Sequence, residues 1–371
     1  MAEERFRYIP SRAVKPTDGL AKARMFVIWA LSFACCANGA ATHPPPPTDL
    51  GPPPPERGVA LGLFSQDPDY RYRKLIGEVG ATGASHISLT WVWWQENVRA
   101  TEIRSVSGWS ATEAQLRDSI RYARQLDLHV TVFPIVRLKT STRNEWRGRI
   151  APDDEDQWWQ SYEAFILKAA VITKEEGAQR LSVGSELLTR ERMRDRWIGL
   201  IDRVRIAAPG VELMYSANWD HFRPVRFWDA LDVVGLTAYW ELTKDLNAST
   251  STLAAAWDPV LKELQDWSLR VQRPLVLTEV GYPSLDGGAA WPWDETRRAA
   301  PDLEEQRRAY LAFIQRFAGQ PWLQGVYWWN WFGFGGPDDT NYTPRGKPSG
   351  DLIRAWYTQP QTEPKPQRAS E

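Results

Sequence analysis

The sequence predicts an α/β protein folded as a single (β/α)8 barrel, also called a TIM barrel. Eight short apolar runs rich in β-branched residues recur from Gly58 onward, with amphipathic stretches and helix-start signals between several of them. A chain of 371 residues with 43% hydrophobic content can hold such a barrel, since barrels of about 250 residues or more fold as one domain. An open doubly wound sheet is the competing fold. No G-x-G-x-x-G motif follows the first run, which removes the usual reason to expect it.

The individual elements follow from these local patterns. The predicted strands are Val59–Leu63, Ser85–Thr90, His129–Ile135, Leu181–Ser185, Val211–Ser216, Asp232–Thr237, Leu275–Thr278 and Gly325–Trp329. The predicted helices are Asp154–Glu176, Glu191–Ala208, Leu253–Leu269 and Asp302–Phe317. A further helix is predicted over "AQLRDSIRYARQL", because Ser110 and Glu113 before it have capping-box spacing, in which the hydroxyl accepts a free N–H while the carboxylate reaches back.

The first 37 residues are predicted to be an export segment, either a signal peptide or a lipoprotein-type leader. Six Lys or Arg against three acids fill residues 1–24, and the 13-residue apolar run "MFVIWALSFACCA" follows, too short to span a bilayer comfortably. "SFAC" is similar to a lipoprotein cleavage box, although Phe33 is bulkier than usual there, so a lipid anchor at Cys35 stays open. We expect an exported protein, extracellular or anchored to the bacterial cell envelope.

Three further parts complete the predicted organisation. Residues 38–57 form a Pro-rich linker, because "HPPPPTDLGPPPPERG" favours extended polyproline II. Residues 58–358 form the barrel, and residues 359–371 are a disordered tail. Both cysteines, Cys35 and Cys36, lie in the export segment, so the barrel would contain no disulfide. Its stability must therefore come from core packing.

Composition and missing motifs exclude several classes of protein. A formal charge of −1 and a sequence pI near 6.5 give no basic surface for nucleic acid. Four widely spaced His without a metal-binding pattern argue against zinc, and neither G-x-S-x-G nor G-x-x-x-x-G-K-[ST] is present. We expect no metal, no cofactor, no nucleic-acid partner and a monomer.

Two carboxylates stand at the ends of predicted strands. Glu186 follows the fourth run and Glu279 follows the seventh, and the carboxyl ends of barrel strands carry the chemistry. For each Glu alone, a structural ion pair is the ordinary alternative. Glycoside cleavage uses two such groups, about 5–5.5 Å apart when the configuration is retained and about 6.5–9.5 Å apart when it is inverted. The other strand-end residues are candidate substrate contacts: Trp91, Arg137, Asn218, Trp219, Tyr239 and Trp329.

The 21 tryptophans suggest flat surfaces for sugar rings. Those predicted in or next to the strand-end loops are Trp91, Trp93, Trp94, Trp146, Trp219, Trp240, Trp291, Trp293, Trp328, Trp329 and Trp331. We expect about half of them to be structural, since strand alternation sends neighbours such as Trp328 and Trp329 to opposite faces. The long loop Ser284–Pro301, with two Trp, is a candidate wall for neighbouring sugar subsites.

At these residues the chain resembles glycoside hydrolase family 113, a clan A family that includes β-mannanases. The resemblance runs from about Gly58 to Tyr357 and rests on "GATGASHISLTWVWWQ", "EWRGRI", "SVGSELL", "DVVGLTAYW", "TEVGYPS" and "GVYWWNWF". It implies that Glu186 is the acid/base and Glu279 the nucleophile, with retention. It also implies that Tyr239 hydrogen-bonds the nucleophile and that Trp329 or Trp328 is a sugar platform.

Ser185 departs from the clan pattern, in which an Asn before the acid/base contacts the sugar 2-hydroxyl. A hydroxyl is shorter than an amide and cannot donate and accept through separate atoms, so the sugar at the cleavage point is less defined than the reaction. The predicted function is a retaining β-glycosidase acting on β-1,4-linked polysaccharide or oligosaccharide, with mannan expected. The alternative is a non-catalytic carbohydrate-binding barrel. Endo and exo action both stay open.

Overall fold

The chain folds as a closed barrel of eight parallel strands. The structure, a computed structural model, describes residues 43–142 and 144–360. The barrel strands are β1 Glu56–Gly62, β2 His86–Gln95, β3 His129–Leu138, β4 Arg180–Ser185, β5 Glu212–Ala217, β6 Val233–Thr237, β7 Leu275–Val280 and β8 Leu323–Trp328. Neighbouring strands pair in parallel, and β1 pairs with both β2 and β8. The predicted (β/α)8 barrel is confirmed.

Helices pack around the outside of the barrel. They are α1 Arg73–Gly80, α2 Glu113–Gln125, α3 Glu155–Glu175, α4 Arg194–Ala207, α5 Thr250–Val271, α6 Leu303–Phe317 and α7 Pro348–Tyr357. A single 3-10 turn, Trp228–Ala230, stands between β5 and β6, where a regular barrel carries a helix. The sequence patterns did not predict α1 and α7, which have only 8 and 10 residues and so show few helical repeats.

The predicted capping box at Ser110 and Glu113 is wrong by two residues. Thr112 is the N-cap of α2: its hydroxyl accepts from the Gln115 N–H at 3.2 Å, and the Gln115 side chain accepts from the Thr112 N–H at 2.8 Å. Ser110 instead accepts from the Val106 N–H, which fixes the preceding turn. Both spacings satisfy the motif, and Thr112 is the residue whose backbone is extended next to the first helical turn.

The core has two layers. The larger layer lies between the strands and the helices, and the smaller fills the barrel itself with Val92, Trp94, Phe133, Ile135, Met214, Val233, Val276 and Tyr327. Burying a large apolar side chain stabilises the fold by about 1.5–3 kcal/mol. The barrel is therefore a packed core rather than a channel, and a ligand has to bind at one of its ends.

The amino-terminal end of the barrel is closed by a buried ion pair. Arg180, at the start of β4, donates two hydrogen bonds of 2.7 and 2.8 Å to Glu56, at the start of β1. Burial raises the pKa of Glu56, but the Arg180 guanidinium lowers it more, so the net pKa is lowered. His86 and His129 stack beside this pair, with ring centroids 4.8 Å apart. Because Arg180 and Glu56 neutralise each other's charge and hydrogen-bond each other, we assign this end of the barrel a structural role.

The described part of the Pro-rich segment packs against the barrel. Residues 43–55 form no helix or strand, but Leu50 is buried and the Pro52 carbonyl accepts from the Gly319 N–H at 2.9 Å. Glu56 and Arg57 belong to β1 rather than to the linker. The predicted export segment 1–37, with Cys35, and residues 361–371 of the predicted tail lie outside the described residues. Across the portion of the chain that the structure covers, no helix is both long and apolar enough to cross a membrane.

Candidate active site

The carboxyl ends of the strands surround a cavity of about 680 Å³. Eight of the predicted site residues line it: Arg137, Trp146, Glu186, Asn218, Trp219, Tyr239, Glu279 and Trp329. These residues come from the ends of β3 to β8 and the loops that follow them. The tertiary fold therefore gathers side chains that lie up to almost 200 positions apart in sequence.

Glu186 is the residue directly after β4, and it is buried, with 6% of its surface exposed. Its backbone adopts φ +53°, in the left-handed region, which costs a non-glycine residue about 1–2 kcal/mol. Its carboxylate accepts from Arg147 Nη2 at 2.5 Å and from the Thr237 hydroxyl at 2.9 Å. Two donors on different elements thus fix both carboxylate oxygens.

Glu279 is the second-last residue of β7 and is 3% exposed. Its Oε2 atom accepts from the Tyr239 hydroxyl at 2.8 Å. Its Oε1 atom receives no hydrogen bond from any residue that the structure describes. Burial raises the pKa of Glu279 and the charge on Glu186 raises it further, whereas Arg147, Tyr239 and Arg137 lower it; the net pKa is raised. One carboxylate oxygen of this cavity-lining residue is therefore left unengaged, in a site where burial disfavours its charge.

Thr237 links the two carboxylates. It lies opposite Glu279 in the register of β6 and β7, while its hydroxyl donates to Glu186. The charge on Glu186 raises the pKa of Glu279. The geometry thus brings two carboxyl groups to a single cavity.

Two arginines line the cavity and offset this negative charge. Burial lowers the pKa of Arg147, but Glu186, Glu279 and Glu295 raise it more, so its guanidinium stays charged. Arg137, at the end of β3, lies 3.8 Å from Glu295 in the loop after β7. Because β3 and β7 stand opposite each other in the barrel, this pair spans the mouth. The loop 284–301 thus supplies one wall of the cavity, as predicted.

Gly281 allows the ends of β7 and β8 to approach closely. A Cβ atom at this position would lie 2.2 Å from the Trp329 carbonyl oxygen, well inside any tolerable contact. The Trp329 N–H donates to the Val280 carbonyl at 2.8 Å across the same junction. The glycine in "TEVGYPS" therefore sets the separation between Glu279 and the indole of Trp329.

Five of the eleven strand-end tryptophans line the cavity: Trp94, Trp146, Trp219, Trp293 and Trp329. Trp219 and Trp293 stack with centroids 5.9 Å apart and planes 29° apart. Several of the other tryptophans in the set have structural contacts. The Trp93 ring stacks on Phe165, and the Trp331 indole N–H donates to Glu78. Six of the eleven therefore do not line the cavity.

Three predicted substrate contacts do not line the cavity. Trp91 is 1% exposed and its indole N–H donates to the Ala111 carbonyl at 2.8 Å, within the outer core. Trp328 is fully buried, and its ring stacks on Tyr310 with centroids 4.4 Å apart. Because neighbouring strand residues point to opposite faces, Trp329 is the one that lines the cavity. Ser185 is 3% exposed and its hydroxyl is shielded. The expectations for Trp91, Trp328 and Ser185 as sugar contacts are therefore corrected.

The sequence reasoning did not single out Arg147, Thr237 or Tyr342. Arg147 and Tyr342 line the cavity, and Thr237 hydrogen-bonds Glu186. Arg147 lies in the motif "EWRGRI", and the need of two buried carboxylates for a counter-charge could have identified it. Thr237 ends a predicted strand and had no local feature to mark it. Tyr342 comes from a loop after β8 whose path only the fold defines.

One group of three acidic side chains among the described residues lies close enough to share a cation: Asp286, Asp302 and Glu305. Glu305 already accepts from the Gly287 and Ala289 N–H groups at 2.8 Å, and Asp302 caps α6 by accepting from the Glu305 N–H. The Glu305 carboxylate thus holds the loop after β7, and the Asp302 carboxylate holds the start of α6. None of the three lines the cavity.

Comparison with known proteins finds a family model and solved structures that match this chain. The sequence model of Glycoside Hydrolase Family 113 matches residues 68–337. The structure of the family 113 β-mannanase AaManA from Alicyclobacillus acidocaldarius in complex with ManMIm matches with TM-score 0.72 and 26% identity, over 84% of this chain and 98% of that chain. A GH113 β-1,4-mannanase structure matches with TM-score 0.72 and 25% identity, over 83% of this chain and 100% of that chain.

A more distant likeness shows the fold alone. Faecalibacterium prausnitzii β-glucuronidase matches with TM-score 0.57 and 14% identity, over 83% of this chain and 49% of that chain. No curated protein sequence matches this chain. The barrel, its paired carboxylates and these matches define a glycoside hydrolase. The matched segment covers more than half of the sequence, and the chain belongs to glycoside hydrolase family 113.

Proposed function

We propose that the protein is a retaining β-glycosidase that hydrolyses β-1,4-linked mannan or manno-oligosaccharides. Glu279 is the nucleophile and Glu186 the acid/base. The observation that carries the proposal is the pair of buried carboxylates on one cavity, in which Glu279 keeps one oxygen unengaged and Tyr239 holds the other. A carboxylate that is held at one oxygen presents the second for attack.

The proposed reaction has two steps. Glu279 Oε1 forms a bond to the anomeric carbon as the glycosidic bond breaks, and the proton of Glu186 passes to the departing oxygen. Glu186, now ionised, takes a proton from water, whose oxygen bonds to the same carbon and releases Glu279. Each step inverts the configuration, so the overall result is retention. Glu186 ends protonated again, ready for the next substrate.

Glu186 must carry a proton when the glycosidic oxygen arrives. Arg147 donates to Glu186 Oε2 at 2.5 Å, and its charge lowers the pKa of Glu279. The Tyr239 hydroxyl also stabilises the charge on Glu279. We therefore assign Arg147 the roles of orienting Glu186 and of stabilising the ionised nucleophile.

The lining of the cavity supports a neutral oligosaccharide. Six carboxylate residues stand against two arginines, which disfavours polyuronates: Glu145, Glu186, Asp220, Glu279, Asp294 and Glu295. Trp219 and Trp293 stack beside the cavity and Trp146 and Trp329 also line it, so more than one sugar can be held. Asn218 presents an amide near Glu186, since the Thr237 hydroxyl lies within 3.2 Å of its Oδ1 atom. We assign Asn218 the hydroxyl contact that the shielded Ser185 cannot make.

Mannan as the substrate rests on the two family 113 structures, which are named as a β-mannanase and a β-1,4-mannanase. The test is incubation of the purified protein with β-1,4-mannan and with manno-oligosaccharides, measuring new reducing ends. Proton NMR of the first product then gives its anomeric configuration. Release of a β-anomer supports retention, and initial release of an α-anomer would refute it.

A carbohydrate-binding barrel without turnover is the second candidate, and the same assay distinguishes it. Such a protein would bind manno-oligosaccharides in calorimetry and release no reducing ends. The hydrogen-bonded placement of Glu186 and Glu279 on one cavity favours the enzyme, because a binding surface gains nothing from burying two carboxylates.

Export, either by a signal peptide or with a lipid anchor at Cys35, and a monomeric state form part of this proposal. Export and the anchor rest on the composition of residues 1–37. Fractionation of cells and palmitate labelling of Cys35→Ala against the unchanged protein test them. Light scattering of the purified protein tests the oligomeric state.

A further inference from the structure

A buried pair behind Glu186, formed by Tyr215 and Glu191, is not used by the proposed chemistry. Both residues have no exposed surface. Neither lines the cavity, so neither can touch a sugar. A carboxyl group buried without a cation is costly and calls for an explanation.

The backbone at Glu186 needs external support. Its φ of +53° is unfavourable for a residue with a Cβ, and such strain persists only where neighbouring contacts impose it. On one side, the Glu186 N–H donates to the Ser216 carbonyl at 2.9 Å. On the other side, the Leu187 N–H donates to the Tyr215 hydroxyl at 2.8 Å. Adjacent residues of β5 therefore hold the peptides before and after Glu186.

Glu191 fixes the orientation of the Tyr215 hydroxyl. That hydroxyl has one proton and accepts from Leu187, so its proton is directed to Glu191 Oε1, 2.8 Å away. Trp197 and Phe227 pack against the Tyr215 ring at 5.2 and 5.1 Å, which prevents it from moving aside. The chain of contacts runs from Glu191 through Tyr215 to the peptide that follows Glu186.

The charges around Glu191 favour a neutral carboxyl group. The net pKa of Glu191 is raised to about 8, because burial and the carboxylates of Glu186 and Asp220 raise it by more than the Tyr215 hydrogen bond lowers it. A neutral Glu191 can accept from Tyr215 without placing a second charge behind Glu186. An amide of the same shape could do the same.

We propose that Tyr215 and Glu191 are positioning residues that hold the Glu186 carboxyl group within reach of the glycosidic oxygen. This inference rests on the proposed function, in which Glu186 is the acid/base. It assigns the buried pair a role in one catalytic step, proton donation to the leaving group. The role requires an acceptor at position 191 rather than a charge.

The test compares two substrates of the full-length protein. A manno-oligosaccharide needs proton donation to its leaving oxygen, whereas a dinitrophenyl β-glycoside of the same sugar does not, because dinitrophenolate leaves unprotonated. We expect Tyr215→Phe and Glu191→Leu to lower kcat/KM on the oligosaccharide roughly tenfold or more, a part of the 10²–10⁴-fold that a positioned acid contributes. On the dinitrophenyl substrate the change should stay within about twofold. Glu191→Gln should resemble the unchanged protein on both.

Tyr162→Phe is the matched control. Tyr162 is also buried, and its hydroxyl donates to the Val183 carbonyl of β4 at 2.7 Å, but it does not contact the peptides beside Glu186. It should not discriminate between the substrates. If Tyr215→Phe fails to fold, as judged by its melting temperature, Glu191→Leu and Glu191→Gln still test the role.

Equal effects of Tyr215→Phe and Glu191→Leu on both substrates, or no effect on either, would overturn the inference. Glu186→Ala separates this failure from that of the proposed function. If Glu186→Ala lowers oligosaccharide turnover selectively while the positioning variants do not, only the inference is lost. If Glu186→Ala does not discriminate between the substrates, the acid/base assignment fails and the inference falls with it.

Discussion

The hydroxyl of Thr237 donates a 2.9 Å hydrogen bond to the Oε1 atom of Glu186, across the intervening strand β5. Thr237 ends β6 and Glu186 follows β4, so the contact spans two strand positions around the barrel mouth. Thr237 is also the register partner of Glu279. A single threonine therefore fixes the relative placement of both carboxylates.

Thr237→Val should lower kcat/KM roughly tenfold while Thr237→Ser stays close to the unchanged protein. Valine matches the shape of threonine but leaves a buried carboxylate oxygen without its donor, which costs about 1–3 kcal/mol. Steady-state kinetics on manno-oligosaccharides measure the loss. Equal activity of the valine and serine variants would show that the hydroxyl is unimportant.

Glu279→Ala and Glu186→Ala should each lose most activity, and azide should rescue them with opposite products. Azide that replaces the nucleophile attacks from the same side as Glu279 and gives an α-glycosyl azide. Azide that replaces the base-activated water attacks the glycosyl-enzyme and gives a β-glycosyl azide. A positioned acid contributes about 10²–10⁴-fold, so the losses are readily measured. The reverse pattern of products would exchange the two roles.

Arg147→Met should shift the acidic limb of the pH profile of kcat/KM to higher pH. Arg147 lowers the pKa of Glu279, so removing its charge raises that pKa. Glu279 has to be ionised to attack, and in the variant it becomes ionised only at higher pH. Arg147→Lys, which keeps the charge, is the control. A limb that stays in place in Arg147→Met would contradict the assigned electrostatic role.

His86 should make the fold less stable in acid. Burial lowers the pKa of His86 from 6.5 to about 4, with Glu56 acting in the opposite direction. Because the folded pKa lies below the unfolded value, the unfolded chain protonates His86 more readily than the folded protein does. The contribution of His86 to the free energy of unfolding is therefore fully present above pH 6.5 and is lost as pH falls towards 4. Melting temperatures between these values should fall less steeply for His86→Gln. Substitution of the exposed His221 serves as the control, and identical slopes would refute the prediction.

Gly281→Ala should destabilise the protein by about 1–3 kcal/mol and lower its activity, because overpacking forces β7 and β8 apart. The added Cβ would lie 2.2 Å from the Trp329 carbonyl oxygen. Gly77→Ala in α1 is the matched control, because the nearest atom to the added Cβ would be the Tyr122 hydroxyl oxygen at 3.8 Å. Denaturant unfolding measures the difference between the two variants. A Gly281→Ala protein as stable as Gly77→Ala would show that the junction can relax.

The sequence by itself determined the barrel and most of the cavity. Apolar runs at regular spacing fix the strands, and the carboxyl ends of parallel strands must meet at one rim, so Glu186, Glu279 and Tyr239 could be grouped before any coordinates. The helices with long amphipathic repeats were predictable for the same reason. The short α1 and α7 were not, because one or two turns carry too little periodicity.

Only the tertiary structure decided which neighbouring side chains face the cavity and which partners they meet. Trp91 and Trp328 satisfy the same local pattern as Trp329, but the strands turn them into the outer core. Arg147 reaches Glu186 from a loop, and Tyr215 reaches Leu187 from the next strand. Such contacts depend on distances between segments remote in sequence, which packing sets and local pattern does not record.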